Sequence, residues 1–122
     1  MAQSGLVISQ IQNVTVVNFR NTAILDGAVV DATAKELYDL VDQQAKRKII
    51  LDFSNVRFLS STMLGTLVVL HKKICSIKGK FVICGLRGDL SQVFKITRLD
   101  KILTFAPDEE KALNSFDVFT RP

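Results

Sequence analysis

Hydrophobic and polar positions change period along the chain, and the changes mark elements. Leu6–Ile11 and Val14–Phe19 are β-branched runs split by Gln12-Asn13, the pattern of two strands joined by a tight turn. Residues 21–25 extend that sheet, and Asp26-Gly27 is a turn signal. Over residues 32–46 the period lengthens. Ala34, Leu37, Tyr38, Val41 and Ala45 fall on one face of an amphipathic helix, with Asp31 as its N-cap. Ile49-Ile50-Leu51 is a short continuous apolar run, with Phe53 beyond Asp52. Such a run suits a central strand covered on both faces. Ser54-Asn55 breaks it, and residues 56–59 form a connection that still buries apolar side chains.

A second helix is predicted over residues 62–77, then a turn at Lys78-Gly79 and a strand at Lys80–Cys84. Residues 89–96 form a third helix with Leu90, Val93 and Phe94 inward. Residues 102–105 form the last strand, and residues 108–114 a closing helix. Asp108, Glu109 and Glu110 fall in its first turn, where the helix dipole favours anions. Phe116, Val118 and Phe119 are expected to fold back on the body. Alternating strands and helices imply parallel neighbours with right-handed crossovers, and the opening hairpin makes the sheet mixed. The fold class is α/β, with a mixed, mostly parallel sheet of four to six strands packed against about four helices.

The length of 122 residues suggests one domain over residues 1–122, its core about residues 6–115. A hydrophobic fraction of 48% against 23% charged is an ordinary globular balance, without the bias of disorder. The start of the chain lacks a basic segment followed by a long apolar run, and no stretch approaches the roughly 20 residues of a membrane span. The expectation is a cytoplasmic protein with no membrane contact. Cys75 and Cys84 form no CxxC pair and have no His cluster beside them, so both read as buried free thiols. The net charge of +4 is spread out, densest at Lys46-Arg47-Lys48 and Lys72-Lys73. With one Tyr and no Trp, stacking platforms for bases are poor. Direct nucleic-acid binding is not expected.

Chemistry concentrates at Ser60-Ser61-Thr62, where the connection meets the second helix. Hydroxyls there can cap free backbone N–H groups. The same geometry supports a second reading. A helix start carries unpaired donors and partial positive charge, so a phosphate is well tolerated there. Phosphoserine adds about −1.5 to −2 charges, enough to alter any partner docked outside. On the helix, Met63, Leu64, Leu67, Val68, His71, Ile74 and Cys75 form an apolar arc. Thr62, Gly65, Thr66, Val69, Lys72, Lys73 and Ser76 lie opposite. Gly65 costs about 1 kcal/mol relative to Ala within a helix. Close approach of another backbone, from a partner or a neighbouring loop, would compensate. His71 is the chain's one histidine, and without a second ligand it reads as a core or boundary residue. The acids Asp26, Asp31, Asp52 and Asp89 are dispersed, and no phosphate loop, HExxH or GxSxG is present. No catalytic residue, cofactor or metal is assigned.

The stretch from Ile49 to Gly65, Ile-Ile-Leu-Asp-Phe-Ser-Asn-Val-Arg-Phe-Leu-Ser-Ser-Thr-Met-Leu-Gly, resembles the signature of the STAS family. That signature is an apolar strand ending in Asp, then an apolar residue with Asp-Ser-Ser or similar, then Gly-Leu-Gly. The run from Lys78 to Gly85 is similar to the family's following turn and strand, and the run from Val93 to Ile102 to its third helix. The likeness covers about residues 6 to 115. It implies an anti-sigma-factor antagonist that works by partner switching. The unmodified protein binds an anti-sigma factor with serine kinase activity. The kinase phosphorylates the Ser at the helix start, and a PP2C-type phosphatase reverses this. On that match Ser61 is the phosphoacceptor, with Ser60 and Thr62 as rivals. Asp26, Ser60, Ser61, Thr62, Met63, Gly65 and Val69 are the partner-binding candidates. The chain departs from the pattern at Ser60, where Asp is usual, and at Met63, where the first Gly is usual. A monomer or weak dimer is implied. The alternative is a non-switching STAS scaffold or sensor, stressosome-like or ligand-binding.

Overall fold

The structure, a computed structural model, describes residues 5–20, 22–24 and 27–116. β1 (Leu6–Ile11) and β2 (Val14–Phe19) form the expected antiparallel hairpin, with Leu6 opposite Phe19 and Ile11 opposite Val14. β4 (Lys48–Asp52), β6 (Lys80–Cys84) and β7 (Thr104–Ala106) join it in the order β1-β2-β4-β6-β7. Every pairing after the hairpin is parallel. The result is the mixed, mostly parallel sheet that the element order implied.

The central strands split their side chains between two cores, as a period of two requires. Ile49 and Leu51 of β4 and Phe81 and Ile83 of β6 face one core, with Leu37, Leu40, Leu67, Leu70, Leu90 and Phe94 from the helices. These come from α1 (Gly27–Asp42), α2 (Ser61–Ser76) and α3 (Gly88–Ile96). Ile50, Val82 and Cys84 face the other way, under Ala112, Leu113 and Phe116. The short α4 (Glu109–Asn114) covers that second face alone. Phe116 folds back as expected, while Val118 and Phe119 lie outside the described residues. Burying each large side chain contributes about 1.5–3 kcal/mol.

Several expectations are corrected. α1 begins at Gly27, so Asp31 lies inside the helix and is not its cap. Buried Val30, Thr33, Leu37, Leu40 and Val41 set its face, so the helical period begins more than a turn before residue 32. The helix ends at Asp42, before Lys46, and Ala45 turns the chain at φ 52°. Residues 23–24 do not extend the main sheet. As β3 (Ala23–Ile24) they pair in parallel with β5 (Phe58–Leu59) in a separate two-stranded sheet. The last strand starts at Thr104, because a 3-10 turn at Leu99–Lys101 leaves Ile102 exposed outside it. Cys84 is a buried free thiol as expected, but Cys75 is exposed.

Candidate functional site

The small β3–β5 sheet determines where α2 begins. Arg57 N–H donates to the Thr22 carbonyl at 2.7 Å, and Ser60 N–H to the Ile24 carbonyl at 3.1 Å. These bonds hold residues 57–60 extended until the helix starts. Ser60 is the N-cap, with φ −77° and ψ 161°, and its Oγ accepts the Met63 N–H at 3.1 Å. Ser61 is the first helical residue and is exposed. Among the described residues no hydrogen bond engages its hydroxyl. The two readings of the hydroxyl triplet therefore fall on two neighbouring serines. Ser60 is the cap, and Ser61 is the free alcohol beside it.

No acidic side chain occupies the first turn of α2. With Met63 N–H taken by the cap and Leu64 N–H bonded to the Ser60 carbonyl, Ser61 and Thr62 carry the N–H donors of this helix start that have no acceptor among the described residues. The local field favours an anion. The outward stripe continues through Thr62, Gly65 and Val69, all exposed, with Val69 at 41%. A Cβ added at Gly65 would meet nothing within 4 Å. Among the described residues no neighbouring loop compensates for this glycine.

Met63 is corrected as a contact residue. Its side chain is fully buried and presents nothing to a partner. The buried line of α2 runs Met63, Leu67, Leu70 and Ile74, turned slightly from the expected arc. Thr66 is buried too, its Oγ1 donating to the Thr62 carbonyl at 3.2 Å. His71 is half-buried, edge-on to Phe81 at 6.3 Å, with the exposed Cys75 Sγ 3.7 Å from its Nε2. Asp26 lies outside the described residues. Its neighbours Ala23 and Ile24 are held beside Phe58 and Leu59, one residue from Ser60.

Sequence reasoning missed Phe58. The connection buries Val56 and half-buries Leu59, but Phe58 is 56% exposed just before the serines. The alternation of the two-residue strand β5 was its only signal.

Also missed was a polar cluster at the same edge of the main sheet. Asn18, one residue before the end of β2, is in register with Asp52 of β4, which pairs with Cys84 of β6. Glu109 of α4 lies over them, with Asn18 Nδ2 donating to its Oε2 at 3.4 Å. A hydrogen bond with Asp52, burial and the Asp52 charge push the Glu109 carboxyl up to about 7. Burial, then the charges of Asp52, Glu109 and Asp108, push the Cys84 thiol up to about 12. The thiol is thus inert packing. Asp52 Oδ1 also accepts the Ser54 N–H at 2.9 Å, starting the loop that leads to the site. Gly85, at φ 75°, passes so close that a Cβ would lie 3.0 Å from that Oδ1.

A sequence model of the STAS domain matches residues 6–112. The chain belongs to the STAS family. This STAS domain is 29% identical over 97 residues to BtrV of Bordetella bronchiseptica, an anti-sigma factor antagonist by name. The match covers 77% of this chain and 84% of BtrV. An anti-sigma-factor antagonist (STAS) domain protein from Planctomyces limnophilus superposes with a TM-score of 0.80 at 23% identity, over 94% of this chain and 98% of that one. Bacillus SpoIIAA in its phosphorylated form gives 0.69 at 18%, over 91% and 98%. SpoIIAA in its unphosphorylated form gives 0.70 at 16%, over 92% and 97%. The STAS domain thus has the fold of anti-sigma-factor antagonists. Among its described residues no helix is long and apolar enough to cross a membrane.

Proposed function

We propose that this STAS domain is an anti-sigma-factor antagonist switched by phosphorylation of Ser61. One contrast carries the reading. Ser60 Oγ is committed to capping α2, whereas the Ser61 hydroxyl is exposed beside an open helix start. A kinase can reach Ser61 without disturbing the cap.

The unmodified protein offers an uncharged surface of Phe58, Ser61, Thr62, Gly65 and Val69 to an anti-sigma factor with serine kinase activity. Transfer of the γ-phosphoryl group to Ser61 Oγ places about −1.5 to −2 charges in the middle of that surface. The open N–H donors and the helix dipole accommodate the phosphate, so the fold survives. The docked partner, in contrast, meets a desolvated like charge or an unpaired one, which costs several kcal/mol in an interface. A PP2C-type phosphatase restores the binding form. BtrV's name and the two solved forms of SpoIIAA, both said of those proteins, support the reading. It requires no cofactor and no catalysis by this chain. It places the protein in the cytoplasm as a monomer or weak dimer.

The test is to mix the protein with its cognate kinase and ATP. One phosphoryl group should be gained, mapped to Ser61, with loss of the complex. Ser61→Ala should gain none and stay bound, and Ser61→Asp should not bind. A modification mapped to Ser60 or Thr62 would overturn the assignment. So would large assemblies whose partner binding ignores Ser61→Asp, the behaviour of a scaffold.

A further inference from the structure

At the far end of α2 from Ser61 lies a cleft of about 560 Å³ lined by Lys46, Arg47, Lys48, Lys78 and Lys80, with no carboxylate in its wall. α2 has sixteen residues and is about 24 Å long at 1.5 Å per residue. The two regions therefore lie at opposite ends of the parallel strands, the cleft where β4 and β6 begin. The turns from α1 into β4 and from α2 into β6 bring the cations together. Gly79 N–H donates to the Ile74 carbonyl at 2.8 Å, and Lys80 N–H to the Arg47 carbonyl at 2.8 Å.

Among the described residues no carboxylate compensates this charge. Lys48 and Lys80 are register partners on adjacent parallel strands, and like charges placed directly opposite are destabilising. Asp42, which ends α1, is taken by Lys73 at 2.8 Å. Among the described residues none of the five cations has a carboxylate within ion-pair distance. The C-termini of α1 and α2 offset part of the field, about half a charge each. Arg47 Nη2 donates to the Lys78 carbonyl at 3.3 Å, and Lys80 Nζ to the Ser115 carbonyl at 3.5 Å. Among the described residues Lys46, Lys48 and Lys78 have no such partner.

We infer that this cleft is a second docking surface, for an extended acidic segment of a protein partner. The occupant must be anionic, since five cations converge without a counter-charge among the described residues. The cleft is concave, and no exposed large apolar side chain lines it to enter a bilayer. Its one ring, Phe116, is buried and already covered by Lys80 Nζ at 4.9 Å, which leaves no platform for a base. Asn13 and Gln44 line it too, and each amide offers both donors and an acceptor, the complement of a peptide backbone. Because the cleft lies a helix length from Ser61, it can be occupied whatever the state of that serine.

The test uses a fluorescent decaglutamate peptide and the full chain. Binding should be salt-sensitive and should shift the backbone amide signals of Asn13, Lys46, Lys48 and Lys80 but not those of Ser61 and Thr62. Lys46→Ala/Lys48→Ala/Lys80→Ala should weaken it about tenfold, with the fold checked by its thermal melt. Arg87→Ala/Lys95→Ala/Arg98→Ala removes the same charge elsewhere and should leave it within about twofold. Ser61→Asp should leave it unchanged. Equal loss in both triple variants, or shifts spread over the whole surface, would overturn the inference. Tighter binding to single-stranded DNA or to phosphatidylserine vesicles would overturn the assigned occupant.

Discussion

Ser60 and Ser61 are adjacent in sequence and opposite in duty. Ser60 Oγ accepts the Met63 N–H at 3.1 Å, while the exposed Ser61 hydroxyl makes no hydrogen bond among the described residues. Ser60→Ala should therefore cost about 1 kcal/mol of stability, the usual loss of a cap. Ser61→Ala should change stability by less than about 0.5 kcal/mol yet abolish modification. Paired urea melts and phosphosite mapping separate the two roles. Equal stability losses would mean that Ser61 shares the capping.

Gly65 is open on the outer face of α2, with room for a Cβ. In the isolated protein, Gly65→Ala should stabilise the helix by up to about 1 kcal/mol. If a partner's backbone approaches here, the same methyl should weaken the complex at least about tenfold. Melting temperature and titration against the anti-sigma factor give the two readouts. A variant that is more stable and binds equally well would remove Gly65 from the docking surface.

Phe58 and Val69 are 56% and 41% exposed on either side of Ser61. Large apolar side chains left outside the core are informative when they cluster at a candidate site. Phe58→Ala and Val69→Ala should each move stability by less than about 0.5 kcal/mol. Phe58→Ala should nevertheless cost about 2 kcal/mol of partner binding, as a central anchor does. Calorimetric titration would show this. Unchanged affinity in Phe58→Ala would restrict the docking surface to the helix face.

The elements whose cause is local were legible in the sequence. The alternation that splits Ile49 and Leu51 from Ile50 is a property of the strand itself, and so is the hydroxyl triplet before a helical period. What was not legible depends on distant partners. β3 reads as a continuation of the hairpin until Phe58 and Leu59 are known to lie beside it. Met63 fits an interface list taken from family pattern, but packing turns it fully inward. Cys75 lies outside the buried line of Met63, Leu67, Leu70 and Ile74. The Asn18–Glu109 contact spans 91 positions, and no local pattern announces it.

The pairing of Glu109 with Asp52 sets a pH dependence of unusual sign. The Glu109 carboxyl has an ordinary value of 4.5 and is pushed up to about 7, first by its hydrogen bond with Asp52. Between those values the folded chain holds a proton that the unfolded chain has released. Stability from this group is therefore full below pH 4.5 and is lost as pH rises through about 7. Other carboxylates, held ionised by partners, contribute with the opposite sign, so the parent alone does not isolate the effect. Glu109→Gln does, because its amide can still donate to Asp52 but cannot ionise. The variant should match the parent near pH 4 and become the more stable of the two as pH rises, the gap widening from about 4.5 and levelling off above about 7. Denaturant midpoints across that range measure it. A gap that is constant, or that closes as pH rises, would mean that Glu109 and Asp52 do not share a proton and that α4 is held over the sheet by its apolar face alone.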